Sequence, residues 1–141
     1  MLKLDASIVP GVSAAGLRLG DPVQQIQSLA VVPRRRLDQS LEHIELGPVA
    51  VWIRDGLIDQ IGVAAGYRGV IAGTDVGIGS TLRQVSTALG DVFENDEDGL
   101  CVDGMPGICL ETTLWADAPG RETVAHNLDA KIIEIYVFRP S

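Results

Sequence analysis

Five acids crowd into "DVFENDEDG" at 91–99: Asp91, Glu94, Asp96, Glu97 and Asp98. Alternating carboxylates are the raw material of a calcium loop, and Glu94, Asp96, Asp98 and Gly99 would stand at its first, third, fifth and sixth positions. The last position requires a bidentate Glu but falls on Met105, so the stretch reads as a solvated hairpin turn or an acidic patch for a basic partner. Cys101 and Cys109 flank "VDGMPGI", and a hairpin tip there would bring them near each other across the ladder. In a reducing compartment they are thiols. His43 and His126 stand far from these cysteines with no ligand spacing, so no metal site is expected.

Other stretches that invite chemistry stop short of it. "GVIAGTDVGIGS" (69–80) is glycine-rich and leads toward a helix, but no Gly-Lys-Ser or Gly-Lys-Thr follows, so it reads as a structural turn. Arg34, Arg35 and Arg36 form a basic trio without a wider basic surface, too little for a nucleic-acid footprint. Neither histidine neighbours a Gly-x-Ser-x-Gly nucleophile motif. The expectation is a protein with no catalytic residues and no cofactor.

Composition agrees with a binding role. The 141 residues carry a formal net charge of −8 and are 46% hydrophobic, which suits one globular domain over 1–141. Such a charge disfavours nucleic acid and anionic lipid and favours a basic protein partner, although solubility alone also selects acidic surfaces. The N-terminal "MLKLDASIVPG" has no apolar run long enough for a signal peptide, so the expected location is the cytoplasm, with no membrane association.

The elements that would position these residues repeat. "GLRLGDPVQQIQSLA" returns fifty-nine residues later as "DVGIGSTLRQVSTAL". Asp21 and Ser80 are good N-cap residues, and Val23, Ile26 and Leu29, like Leu82, Val85 and Leu89, recur at helical spacing. The same offset lays "GPVAVWI" (47–53) on "PGICLET" (106–112). "RDG" (54–56) signals a tight turn into "LIDQIGV" (57–63), whose counterpart "KIIEIYVF" (131–138) follows an insertion within 115–130. The spacing predicts helices over 21–30 and 80–89. It predicts strands at about 2–9, 16–19, 41–46, 48–54, 57–63, 68–72, 91–95, 99–103, 107–115 and 131–138.

This is an α+β pattern: two tandem strand-helix-antiparallel-meander repeats, about 1–66 and 67–141, sharing one curved sheet with both helices on one face. If Val49, Val51 and Ile53 point toward the helices, Trp52 points away. Equal parity turns Ile133, Ile135 and Val137 inward and Ile132, Glu134, Tyr136 and Phe138 outward. The outer face then offers aromatic anchors to a partner, unless the parity is inverted or the 115–130 segment covers that face.

A compact acidic chain built of such units around "LRLGDPVQQI" and "VGIGSTLRQV" resembles the small immunity proteins of bacterial contact-dependent growth inhibition and related polymorphic toxin systems. The resemblance implies a cytoplasmic immunity protein that neutralises a cognate, basic toxin domain. Its acidic surface would then be Asp91, Glu94, Asp96, Glu97 and Asp98, with Trp52, Trp115 and Tyr136 as anchors. The alternatives are a non-catalytic scaffold or adaptor, or a small-molecule binder or enzyme with a pocket beneath 115–130.

Overall fold

The computed structural model describes residues 2–26, 35–37, 40–95, 99–113 and 128–140. Over these the chain is mostly β. Two short strands, β1 (Ser13–Ala14) and β2 (Leu17–Arg18), form a hairpin of their own. An eight-stranded antiparallel sheet contains β3 (Arg35–Arg36), β4 (Leu41–Glu45), β5 (Val49–Arg54), β6 (Leu57–Val63), β7 (Val92–Asn95), β8 (Gly99–Val102), β9 (Ile108–Thr112) and β10 (Ile132–Phe138). Its strand order is β3-β4-β5-β6-β10-β9-β8-β7. Each half is a meander, and the two meet along β6 and β10, where Ile135 faces Val63 and Val137 faces Ile61.

Local sequence explains the hairpins. Asp55 and Gly56 take φ of 53° and 82°, the paired left-handed conformation of a two-residue turn whose twist matches that of the flanking strands. That turn sets Arg54 opposite Leu57. From there, β-branched residues alternate inward: Val49, Val51 and Ile53 on β5, and Ile58, Ile61 and Val63 on β6, are all buried. They share one core with Leu100, Val102, Ile108, Leu110, Ile132, Ile135 and Val137, and with Val23, Ile26, Leu82 and Val85 from the helical segments.

Among the described residues the helical segments are shorter than their periodicity predicts. The first is a single 3-10 turn, Val23–Gln25, capped by Pro22 with no side-chain hydrogen bond, so Asp21 is not its N-cap. The rest of the expected 21–30 helix lies outside the described residues beyond Ile26. The second is α1 (Leu82–Ala88). Its N-cap is Thr81 and not Ser80, because Gln84 completes a reciprocal capping box with Thr81. Both segments are tied to strand starts: Gly20 N–H donates to Ile58 O at 2.8 Å and Gly79 N–H to Ile132 O at 2.9 Å.

Two predicted strands are absent. Residues 2–9 and 68–72 make only isolated bridges, including a parallel one between Ile8 and Ile71. Their backbone groups are satisfied by scattered partners instead of a ladder, as when Lys3 N–H donates to Ala15 O at 2.9 Å and Ile8 N–H to Val70 O at 2.8 Å. The inward set on β10 also differs. Ile132 is buried and Ile133 is 38% exposed, because a bulge between Ile132 and Glu134 adds one residue and reverses the alternation before it. A second bulge sits on β6 at Asp59, where Trp52 faces Gln60 but Ile53 faces Ile58.

Candidate functional site

The sheet face opposite the core carries a row of side chains set by register alone. His43 pairs with Trp52 across β4 and β5, Tyr136 with Cys109 across β10 and β9, Cys109 with Cys101 across β9 and β8, and Cys101 with Phe93 across β8 and β7. Between Trp52 and Tyr136 runs β6. The two rings belong to strands two places apart, about 9–10 Å at ordinary strand spacing, and nevertheless touch. Their centroids are 5.8 Å apart at 65°, an edge-to-face arrangement.

Gly62 makes this contact available. It lies opposite Tyr136 in the β6–β10 register and next to Trp52 on the same face. A Cβ there would come within 3.0 Å of two Tyr136 ring carbons and 3.1 Å of Trp52 Cζ3. His43 continues the stack at 4.9 Å from Trp52. The rings form a ridge between two grooves. One, of about 480 Å³, is walled by Trp52, Gln60, Glu111, Tyr136 and Arg139. The other, of about 370 Å³, is walled by His43, Glu45, Trp52, Glu134 and Tyr136.

The ridge is flanked by acid. Glu111 and Glu134 stand directly opposite each other on β9 and β10. The Tyr136 hydroxyl donates to a Glu134 carboxylate oxygen. Burial, followed by the adjacent Glu134 charge, pushes the Glu111 carboxyl above its ordinary range. Burial, followed by the bond to Glu134 and then the Glu111 charge, pushes the Tyr136 phenol well up, so it remains a neutral donor. The ion pairs Arg54–Asp59 at 3.7 Å and Arg83–Asp129 at 3.5 Å do not include either member of this acidic pair.

The sequence-derived candidates separate into groups. Trp52 and Tyr136 come together on the sheet face opposite the core. Asp91 and Glu94 are exposed at the far edge of the sheet, where β7 stands five places from β5, and alternation on β7 sends Glu94 to the opposite side from Phe93. Asp96, Glu97, Asp98 and Trp115 lie outside the described residues, as do His126 and the 115–127 part of the insertion. Sequence reasoning passed over Gly62 and Glu111 as site residues. A usable signal was present for Glu111, since the fifty-nine-residue offset lays it on Trp52.

Among the described residues no group of three His, Cys, Asp or Glu side chains is placed to hold a metal ion. No helix among them is long and apolar enough to cross a membrane. The fold and face together define a mostly-β chain with one large antiparallel sheet, one side of which carries an aromatic and acidic surface. Neither a family model nor a curated protein matches the sequence. Among solved structures, the chain is similar to the crystal structure of the uncharacterized protein yfeY from Escherichia coli, with a TM-score of 0.61 at 17% identity over 95% of this chain and 100% of that one. That likeness concerns the fold.

Proposed function

We propose that the chain is a non-catalytic immunity protein of the cytoplasm that binds a basic toxin domain on the open face of its sheet. The observation that carries this reading is the Trp52–Tyr136 ridge seated over Gly62 with Glu111 and Glu134 beside it. Trp and Tyr are the strongest anchors at protein interfaces, and Arg is the partner side chain best able to lie against an aromatic face while pairing with carboxylate. A like-charge pair directly across two strands costs stability in the unbound chain, and a cation from the partner relieves that cost. Asp91 and Glu94, remote from the ridge, act with the rest of the −8 net charge to steer encounter.

The test uses the product of the reading frame adjacent to this chain's own as the candidate toxin. Trp52→Ala and Tyr136→Ala should each weaken binding about 30-fold or more, the loss of a hot-spot residue, and abolish protection of cells that express the toxin. Asp91→Asn with Glu94→Gln should slow association and leave dissociation unchanged. Binding that ignores salt and both ring truncations would instead favour a scaffold docking through another surface. No binding and no protection would end the reading.

We further infer that the two halves are copies of one unit, with both helical segments on the same sheet face. The reading is supported by the palindromic strand order, by bulges at Asp59 and Ile133, and by matched hydrogen bonds at the helix entries. At those entries Ile58 N–H donates to Asp21 O and Ile132 N–H to Ser80 O, both at 2.8 Å, while Val23 N–H reaches Gly56 O and Leu82 N–H reaches Ala130 O. In this arrangement Gly62 and Tyr136 occupy equivalent positions and face each other at the centre. The position is a glycine in one half and a tyrosine in the other.

A further inference from the structure

Cys101 and Cys109 lie directly opposite each other on β8 and β9, on the same sheet face, and both are thiols. Opposed residues of an antiparallel pair have Cα atoms about 4.5–5.5 Å apart, inside the span that a disulfide bridges. Such pairs hold their Cβ atoms about 4.5–5.5 Å apart, at or beyond the upper end of the span in a relaxed disulfide. A bond formed here would draw the strands together and so be easily reduced. The two thiols also differ in access. Cys109 lines the groove of about 480 Å³ but is only 6% exposed, whereas Cys101 is half-buried and opens to a groove of about 300 Å³ with Phe93, Met105, Phe138 and Pro140.

We propose that Cys101 and Cys109 form a dithiol site that closes to an intramolecular, readily reduced disulfide by exchange with a low-molecular-weight disulfide. Cys101, as its thiolate, attacks one sulfur of the small disulfide, forming a mixed disulfide and releasing one small thiol. Cys109 then attacks the Cys101 sulfur, and the second small thiol leaves. Two protein thiols become one disulfide, the small disulfide is reduced to two thiols, and the two protons pass to those products. The site lies inside the hairpin that borders Tyr136, so oxidation fastens β8 to β9 beside the open face. This inference is independent of the toxin partner and is tested on the isolated chain.

The full-length protein equilibrated with oxidised glutathione and quenched in acid should be lighter by about 2 Da, the two hydrogens lost, and show no titratable thiol after denaturation. Reduced glutathione alone should restore both thiols. Cys109→Ser should stop as a stable glutathione adduct on Cys101, and Cys101→Ser should resist modification while folded. Two thiols still titrating in the wild type, a persistent glutathione adduct on it, or a disulfide-linked dimer would each overturn the proposal.

Discussion

Gly62 shows how much one missing side chain can decide. Gly62→Val places methyl groups where the Trp52 and Tyr136 rings now meet. Overpacking of this kind costs about 1–3 kcal/mol, and urea unfolding together with the near-ultraviolet circular dichroism of the rings would register it. Tyr67 is a second such residue, and nothing in the local sequence announces it. Its buried hydroxyl accepts from Ala15 N–H at 2.9 Å and donates to Ala6 O at 2.6 Å, latching the N-terminal segment to the loop before Val70. Tyr67→Phe leaves both backbone groups without that partner and should cost about 1–3 kcal/mol in chemical denaturation. Glu111 yields a pH prediction. Its folded carboxyl binds a proton more tightly than the unfolded one, so its contribution favours folding below about pH 4.3 and is lost as pH rises through the higher folded value. Glu111→Gln should therefore be more stable than the wild type at neutral pH and lose that advantage in acid. Urea midpoints across pH 4–7 that run parallel for the two proteins would contradict this assignment.

Among the elements, α1 and the 3-10 turn show what periodicity can and cannot establish. Apolar spacing correctly identified Val23, Ile26, Leu82 and Val85 as inward residues. It could not establish the caps, because Ser80 and Thr81 are both good cap residues and only Thr81 has Gln84 three positions on. Thr81→Ala should cost about 1 kcal/mol, whereas Asp21→Ala should cost little because no side chain caps the first turn. Comparison of the two thermal midpoints checks this asymmetry. The strands were more legible: 57–63 coincides with β6, and its turn was visible as Asp-Gly. The bulge at Ile133 was invisible, since an extra residue in an apolar run leaves no mark on alternation until the partner strand fixes the register.

At the scale of the molecule, the seam between β6 and β10 holds the two meanders in one sheet, and the core runs across it without a break. Ile61 is fully buried at that seam. Ile61→Ala should cost about 2–5 kcal/mol and lower one cooperative transition instead of splitting it in two, with tryptophan fluorescence and far-ultraviolet dichroism remaining superimposed. The sequence by itself determined the meanders, the hairpin turns and the inward faces of most strands. All of these rest on contacts between near neighbours and on a period-two pattern that the pleat enforces. It also brought Cys101 and Cys109 to the two sides of one hairpin. Only the tertiary structure decided that β6 would lie against β10, which depends on the fit of two faces more than seventy residues apart in the chain. That pairing seats Trp52 and Tyr136 over Gly62, brings Glu111 beside them, and leaves Asp91 and Glu94 at the far edge.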